Sequence, residues 1–454
     1  MIASKLTYLL LTLAACIFCA ANWIPALKTA AYAVDVVVLV LLIVDYQLTL
    51  DKKFISATRS IAERLSIGRE NLVELRILNE GGMPLKCRVR DDFPTSITSD
   101  VREFEFELPA NGFSALKYNL LPKRRGSYNF GLINIRYLSF LKLFWHEVKV
   151  PAQQAVKVYS DLKTLHDLSI KLSHSSELGE LHQRRRGQGT DFSSLKEYTV
   201  GDDSKAIDWK ATARRDRPVV RTYEAEQEQR LLILIDAGRM MASDLEGLTR
   251  FDHALNSALC LALTGLSHND QVGFGIFADK PLMYLPPRRG KSHLKSILEA
   301  SFDIEPRLVE PDYAGMLSYF ATAQKGRSLI VVLSDLTDPT GSQALLTGLA
   351  SLSKRHLPFC VTLKDRQVTE IANSSVTLET KTSPKNDSSS SDGTTEVDIE
   401  RAYQRAVAID LLAQRELALT VLQRRGCLVL DCPPQELSNK LVDSYIEIKT
   451  RARL

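Results

Sequence analysis

The hydrophobic pattern divides the chain into three kinds of sequence. Near the N-terminus, residues 6–24 carry no charge, and residues 30–46 carry only Asp35 and Asp45, near the two ends of the run. From 72 to about 135, apolar and polar residues alternate in short segments. Beyond 230, unbroken apolar segments alternate with amphipathic ones. These patterns predict membrane-spanning helices, antiparallel strands with one buried face, and a mostly parallel sheet covered by helices.

The two apolar runs predict a membrane hairpin over residues 1–49. Each run approaches the roughly 20 residues that a spanning helix needs, and Trp23 is placed like an interfacial anchor. Basic residues follow the second run, at Lys52, Lys53, Arg59 and Arg64, against one lysine in the connector. This asymmetry predicts a two-pass protein of the inner (cytoplasmic) membrane, with its large C-terminal region in the cytoplasm. A lipoprotein signal with a lipidated Cys16, or a single span, remains an alternative.

Residues 50–158 predict an immunoglobulin-like β-sandwich. Segments 72–78, 103–109 and 127–135 alternate with a period of two, and turn signals separate them. In the third segment the apolar phase changes near Gly131, which predicts a bulge or a second covered face. No catalytic pattern lies in this region, so packing or protein contact is its expected role.

Residues 230–454 predict a doubly wound α/β domain. The expected strands are 231–236, 271–278, 328–335, 358–365 and 427–431. The expected helices are 251–266, 291–301, 312–323, 342–355, 398–424 and 436–453. A Ser/Asp/Gly-rich insertion at about 380–396 cannot bury a core and predicts a disordered loop.

Composition excludes several classes of function. The 454 residues are 45% apolar and 25% charged with a formal net charge of +4, so no basic field indicates nucleic acid. Seven cysteines and eight histidines are dispersed without zinc spacing, which suits a reducing compartment. No Walker phosphate loop is present, so the chain is not itself a P-loop ATPase.

Two predicted strands of the α/β domain end in acids, Asp236 and Asp335. This placement resembles the metal site of von Willebrand factor A (VWA) domains, which binds Mg²⁺ through an Asp-x-Ser-x-Ser loop, a Thr and an Asp. Here Gly238 and Met240 replace the serines, and Asp312 is the nearest oxygen donor where the Thr is expected. We therefore expect a degenerate site and no metal cofactor, although weak Mg²⁺ binding stays open.

The segment 159–229 leads into this domain and contains the charged stretch 198–224. Within 182–230, eleven basic residues face nine acidic ones, and residues 183–252 contain no histidine, which disfavours a nucleic-acid patch and a catalytic triad. Two interpretations remain. One is a structural clasp around a buried Trp209, whose truncation would cost about 3–5 kcal/mol. The other is a partner-docking surface. The candidate residues are Gly201, Asp202, Asp203, Asp208, Trp209, Lys210, Arg214, Arg215 and Arg221.

This segment resembles the signature of the domain of unknown function 58 (DUF58) family. The matching positions are Gly189, Phe192, Leu195, Glu197, Tyr198, Gly201, Asp202, Asp203, Ile207, Asp208, Trp209, Lys210, Ala213 and Arg214. Lys196 and Lys205 stand where arginine is usual. A membrane hairpin, a sandwich with an R-G-x-Y motif (Arg125, Gly126, Tyr128) and a C-terminal VWA-like domain are also similar to the family's layout.

The resemblance implies a membrane-anchored adaptor or scaffold. Its VWA-like domain would bind proteins, with a MoxR-type AAA+ ATPase and a protein client as partners, in complex maturation or envelope stress. The family implies no enzymatic activity and no cofactor. An Mg²⁺-dependent adhesion-type receptor and an unrecognised hydrolase remain alternative functions.

Overall fold

A computed structural model describes residues 2–21, 23, 27–49, 52–177, 186–199, 202–215, 217–224, 229–324, 326–336, 342–374 and 392–450. The chain divides into two compact units, Met1–Leu162 and Lys163–Leu454. The first unit contains the apolar N-terminus and the alternating segments. The second contains the signature segment and the α/β sheet.

The N-terminal unit begins with a short strand and two apolar helices, namely β1 (Ile2–Ala3), α1 (Lys5–Ala21) and α2 (Leu27–Leu48). Within the described residues, one helical stretch, Lys28–Phe54, is long and apolar enough to cross a membrane. The helix Lys5–Ala20 is apolar but shorter. Length and composition thus support one span, and the two-pass arrangement stays a prediction.

The rest of this unit consists of short strands. They are β2 (Ile55–Ile61), β3 (Arg64–Ser66), β4 (Asn71–Asn79), β5 (Leu85–Asp91), β6 (Ile97–Ser99), β7 (Phe104–Leu108), β8 (Gly112–Pro122), β9 (Gly126–Phe130), β10 (Ile133–Leu138), β11 (Phe144–Val150) and β12 (Gln154–Tyr159). They pair as β1-β11-β10-β5-β7, β2-β4-β8-β6 and β3-β12-β9, and all but the β3–β12 pair are antiparallel. The predicted alternation is present, since Val73, Leu75 and Ile77 of β4 are fully buried.

The predicted bulge at Gly131 is wrong. Gly131 lies between β9 and β10, and these strands belong to different sheets. The apolar phase changes because the chain passes from one sheet to another. Phe130 and Ile133 are therefore both buried, although they are three positions apart, a spacing that would place their side chains on opposite faces of a single strand. A Cβ atom at Gly131 would meet the side chain of Asp92, which would have to move to admit it.

The second unit opens with the signature segment. Its elements are α3 (Leu162–Glu177), β13 (Arg186–Glu197), α4 (Trp209–Arg215) and β14 (Val219–Glu224). β13 and β14 pair antiparallel, and Glu197 is opposite Val219. Between them, a 3-10 turn at Ser204–Ala206 precedes α4.

A six-stranded sheet follows. Its strands are β15 (Arg230–Asp236), β18 (Gln271–Phe277), β19 (Pro281–Arg288), β20 (Leu329–Leu333), β21 (Leu357–Leu363) and β22 (Leu428–Cys432), and a small pair, β16 (Asp244–Leu245) and β17 (Leu248–Thr249), lies outside it. The order is β19-β18-β15-β20-β21-β22, in which β19 is antiparallel and the others are parallel. The predicted doubly wound sheet is thus confirmed. The sequence pattern missed β19 because its prolines disrupt the alternation, and an edge strand tolerates them.

Within the described residues, seven helices accompany this sheet. They are α5 (Arg250–Ser267), α6 (Lys291–Ser301), α7 (Tyr313–Thr322), α8 (Gln343–Leu352), α9 (Arg366–Asn373), α10 (Asp392–Arg424) and α11 (Pro434–Thr450). The sequence did not predict α9. Residues 392–396, expected in the disordered insertion, form the start of α10 instead. The rest of that insertion, 380–391, lies outside the described residues.

Candidate functional site

The two predicted strand-end acids lie at one edge of the sheet. Asp236 is the last residue of β15, and Asp335 follows the end of β20 by two residues. β15 and β20 are adjacent and parallel, with Ile235 paired to Leu333. The carboxyl ends of parallel strands form the usual binding edge of open α/β sheets. Both acids therefore occupy a position where a site could form.

Two arginine side chains bind the Asp335 carboxylate. Nη1 of Arg250 lies 3.0 Å from Oδ2, and Nη1 of Arg415 lies 2.9 Å from Oδ1. The Asp335 side chain is 2% exposed and each arginine side chain is 12% exposed. Both oxygens of a nearly buried carboxylate are thus engaged by guanidinium groups.

Each arginine also contacts a second acid. Nη2 of Arg250 lies 3.1 Å from Asp365, and Nη2 of Arg415 lies 2.9 Å from Asp431. Burial by itself lowers the pKa of Arg415, but the carboxylates of Asp335 and Asp431 outweigh it and the pKa is raised. We call this group of five side chains the arginine clasp: Arg250, Arg415, Asp335, Asp365 and Asp431.

The arginine clasp joins elements that are distant in sequence. Its three acids follow or end the strands β20, β21 and β22, and its arginines lie on α5 and α10. A guanidinium group is planar and has several fixed donors, so one arginine can bridge two carboxylates. The clasp therefore connects three neighbouring strand ends to two helices through a single charge network.

The other acid, Asp236, is held by neutral donors. Oδ2 accepts hydrogen bonds from the Tyr313 hydroxyl at 2.6 Å and the Ser334 hydroxyl at 2.7 Å, and Oδ1 accepts from the Gly238 amide at 2.7 Å. Burial raises the pKa of Asp236, and these hydrogen bonds oppose that change without cancelling it. The side chain is only 1% exposed and has its partners within the protein.

The side chains at this edge do not fit an Mg²⁺ site. Asp335 is committed to two arginines, and Asp312 accepts from the Gly315 amide at 2.9 Å at the start of α7. A Cβ at Gly238 would lie 2.8 Å from Pro311 Cδ, so the serine of the metal loop has no room there. In the described part of the chain, no group of three His, Cys, Asp or Glu side chains is arranged to hold a metal ion.

The aspartates of the signature segment bind their own backbone and neighbours. Asp203 accepts from the Lys205 amide at 2.9 Å, and Asp208 accepts from the amides of Lys210 and Ala211 at 3.0 and 3.1 Å. Asp208 also pairs with Arg221 Nε at 2.9 Å. These acids therefore cap the 3-10 turn and α4.

Asp202 has a similar role in the preceding turn. Its Oδ2 accepts from the Thr199 hydroxyl at 2.7 Å and the Thr199 amide at 2.9 Å, and Lys196 Nζ lies 3.1 Å away. The hydrogen bonds from Thr199, followed by that from Lys196, lower the pKa of Asp202 to about 2. Gly201, also a candidate, lies outside the described residues.

The expectation of a buried Trp209 is wrong, because its side chain is 71% exposed. The inward face of α4 is formed by Asp208 and Thr212, and Thr212 Oγ1 accepts from the Val219 amide of β14 at 3.1 Å. Trp209 is the residue after Asp208 and is turned away from that face by helical geometry. The segment is therefore not a clasp around a tryptophan.

Three exposed cations accompany Trp209 on α4, namely Lys210, Arg214 and Arg215. Among the described residues, none of the three forms an ion pair. We call Trp209, Lys210, Arg214 and Arg215 the α4 surface. It combines a large apolar side chain with positive charge, the composition of protein-binding surfaces.

A match to a known protein family covers the α4 surface and the two clasp arginines. Residues 194–416 match the family described as "Protein of unknown function DUF58", a range that contains the α4 surface and both clasp arginines. The chain thus contains a region that matches the DUF58 family. Two mycobacterial relatives, the uncharacterized proteins Rv1480 of Mycobacterium tuberculosis and Mb1516 of Mycobacterium bovis, are each 24% identical to the chain over 222 residues. Each match covers 47% of this chain and 68% of the relative.

Solved structures show weaker similarity to this chain. The VWA domain of SpRpn10 is 14% identical with a TM-score of 0.29, and covers 47% of this chain and 94% of its own. BatB from Bacteroides thetaiotaomicron is 13% identical with a TM-score of 0.31, and covers 49% of this chain and 100% of its own. Scores of this size carry no argument about function, and our description of the sheet rests on its strand order.

Sequence reasoning did not find the two arginines. They are separated by most of the α/β domain, and neither belongs to a recognisable motif of catalysis or binding. The helix-start signal of Thr249 and Asp252, which form a capping box, locates Arg250 at the first turn of α5. No local signal places Arg415 opposite Asp335.

The clasp yields a stability prediction. Arg415→Met should lower the free energy of unfolding by about 3–5 kcal/mol, because Asp431 loses its ion pair with Arg415 and the buried Asp335 keeps only Arg250. Urea unfolding of the detergent-solubilised chain, followed by circular dichroism, measures this loss. Arg424→Met, in the exposed last turn of the same helix, is the control and should change stability by less than about 0.5 kcal/mol. An equal loss of stability in Arg415→Met and Arg424→Met would contradict the stabilising role of the clasp.

A second prediction concerns metal. Adding Mg²⁺ should leave the thermal midpoint of the chain unchanged, because guanidinium groups already neutralise Asp335. A cation that bound only the folded state would raise the midpoint as its concentration increased. Thermal unfolding with and without Mg²⁺, each after treatment with EDTA, makes the comparison. A midpoint that rises with Mg²⁺ and is restored by EDTA would show that a site exists.

A third prediction tests the exposure of Trp209. Trp209→Ala should change the free energy of unfolding by less than about 0.5 kcal/mol, because the side chain buries little surface. Val219→Ala in the adjacent β14 is the contrasting variant. Its fully buried side chain should make truncation cost about 1–2 kcal/mol. The same unfolding assay ranks the two, and a larger loss for Trp209→Ala would restore the buried interpretation.

Proposed function

We propose that this protein is a membrane-anchored adaptor that binds a partner protein through the α4 surface. The observation that carries the proposal is the exposed Trp209 beside three cations without described ion-pair partners. Exposing a tryptophan to water is unfavourable, and tryptophan and arginine are the residues most enriched at energetic hot spots of protein interfaces. This surface fits a partner that offers an apolar recess bordered by acidic side chains.

The family resemblance supports a MoxR-type AAA+ ATPase as the partner. An adaptor for such an enzyme needs no active site of its own, and we expect the isolated chain to show no turnover. The ATPase would supply the chemical energy, and a protein client would be presented to it. Complex maturation or an envelope stress response is the process that we expect to depend on this pair.

The apolar stretch Lys28–Phe54 supports anchoring in a membrane. We propose that α1 crosses together with α2, which returns the chain to the side on which it began. The basic residues after α2 then favour the cytoplasmic side for both units. A cytoplasmic AAA+ ATPase could reach the α4 surface in this topology.

The arginine clasp favours recognition without a metal. In VWA-type recognition, Mg²⁺ bridges the domain to a carboxylate of the partner. Here Asp335 is paired with guanidinium groups, and three clasp acids face two clasp arginines, so the edge offers no excess positive charge to an incoming carboxylate. We therefore assign docking to the α4 surface rather than to the sheet edge.

Affinity measurement with purified components tests the proposal. The detergent-solubilised chain is immobilised, and the MoxR-type ATPase of the same cell is titrated over it. Trp209→Ala and the double variant Arg214→Glu, Arg215→Glu should each weaken binding by roughly 30-fold or more, the scale of a hot-spot loss. Both variants are compared at equal folded fraction.

Two matched controls separate this surface from general effects. Leu308→Ala removes another large exposed apolar side chain, and Arg424→Glu with Arg425→Glu reverses two other exposed charges. Neither control should alter the affinity. Unchanged binding by Trp209→Ala would reject the α4 surface, and no binding by the parent chain would reject the ATPase as partner.

A further inference from the structure

We propose that the β10–β11 loop, residues 139–143, contacts the phospholipid surface and is held there by both ends of the N-terminal helical hairpin. This inference rests on the membrane anchoring in the proposed function and adds a second lipid-contacting element. The loop joins two strands of the sandwich, so the contact would link that domain directly to the bilayer. The partner is the anionic phospholipid interface.

Asp45 of α2 makes the first set of contacts with the loop. Asp45 is fully buried, and its Oδ2 accepts a hydrogen bond from the Ser139 hydroxyl at 2.5 Å. Its Oδ1 accepts from the Leu141 amide at 2.6 Å. The Ser139 hydroxyl oxygen in turn accepts a hydrogen bond from the Phe144 amide at 2.9 Å. Asp45 is therefore the acceptor for two donors of the loop, the Ser139 hydroxyl and the Leu141 amide. An acid within an apolar helix is costly, and this contact gives it a structural reason.

The residues around the start of α1 make the second set of contacts with the loop. The Ser4 amide donates to the Leu143 carbonyl at 2.8 Å, and the Ser4 hydroxyl donates to the Lys142 carbonyl at 2.6 Å. The Thr7 hydroxyl also donates to the Leu143 carbonyl. β1 extends this contact, since Ile2 pairs with Trp145 of β11. The loop is therefore fixed by both helices of the hairpin.

These contacts place the loop at the level where the helices leave the hydrocarbon. α2 has 22 residues, a length of about 33 Å at 1.5 Å per residue, close to the thickness of a bilayer core. Asp45 lies three residues before its end, which is about 5 Å along the axis. Ser4 directly precedes α1. The loop thus lies beside the start of α1 and the end of α2, which together form the open end of the hairpin.

The exposed side chains at this level have the composition of a membrane interface. Phe140 at the loop tip is 53% exposed, and Tyr8 and Tyr46 are exposed on α1 and α2. Exposed lysines accompany them, namely Lys5, Lys52, Lys53 and Lys142. Aromatic rings favour the headgroup region, and lysines near the surface attract anionic lipids. We call these exposed aromatic and lysine side chains the lysine belt. Through Phe140 and Lys142, the loop extends this belt from the two helices to strands β10 and β11.

Photocrosslinking of the full chain in liposomes of phosphatidylcholine and phosphatidylglycerol tests the inference. A benzophenone-bearing amino acid replaces Phe140, Tyr46 or Leu72 in three separate samples. Tyr46 is the reference on α2. Leu72 is a matched exposed apolar residue on β4, where it pairs with Asn119 of β8. It lies at the end of β4 that is opposite to the end paired with the start of β2. Intact mass spectrometry measures the fraction of protein that carries a lipid adduct.

We expect the adduct yield at Phe140 to approach that at Tyr46 and to exceed that at Leu72 several-fold. An adduct at Tyr46 with only the Leu72 background at Phe140 would overturn this inference alone. Absence of an adduct at Tyr46 would overturn the membrane anchoring as well. Replacing phosphatidylglycerol with phosphatidylcholine should lower the yield at Phe140, because the lysine belt loses its anionic partner.

The hydrogen bonds of Asp45 with Ser139 and Leu141, which we call the latch, have a positioning role that a variant tests. Asp45→Ala removes the acceptor of Ser139 and Leu141, so the loop should leave the surface and the adduct yield at Phe140 should fall. The yield at Tyr46 should not change. Asp35→Ala removes the other acid of α2, which is exposed, and should leave both yields as they are. Retention of the full yield at Phe140 in Asp45→Ala would overturn the role of the latch.

Discussion

Neutralisation of the Asp335 carboxylate is the constraint on which the α/β domain depends. A carboxylate with 2% exposure is stable only when paired, and two arginines from separate helices supply the pairing. The same guanidinium groups reach Asp365 and Asp431, so three strand ends and two helices share one network. Without Arg415, Asp431 would lose its ion pair and Asp335 would keep only Arg250, so the network stabilises the arrangement of the helices at this edge.

In the proposed function, the clasp assigns recognition to a surface other than the sheet edge. Among the described residues, the ion pairs of the clasp occupy the acids and arginines at that edge. The signature segment has an exposed tryptophan and basic side chains for which the described residues provide no ion-pair partner. Its aspartates are used up in caps and turns, so the charge that remains on the α4 surface is positive. The signature motif thus has acids that cap its turns and helix and an exposed part that forms the α4 surface.

The N-terminal unit follows the same logic of paired acids. Asp45 is a fully buried acid in a mostly apolar helix, and the β10–β11 loop supplies its hydrogen-bond donors. The helical hairpin and the sandwich therefore form one unit through hydrogen bonds at the hairpin's open end.

The sequence by itself determined the order of elements, because buried strands and amphipathic helices have different periods. The segments around Leu234 and Val331 were predicted as strands and Ala258 within a helix, and each is so. It also located the acids Asp236 and Asp335, since strand ends are local features. Only the tertiary structure decided what those acids do. The arginines that pair with Asp335 come from remote positions, and no local pattern encodes a contact across that separation. Exposure of Trp209 was likewise undetermined, because a seven-residue helix has too few turns for its periodicity to show which face is buried.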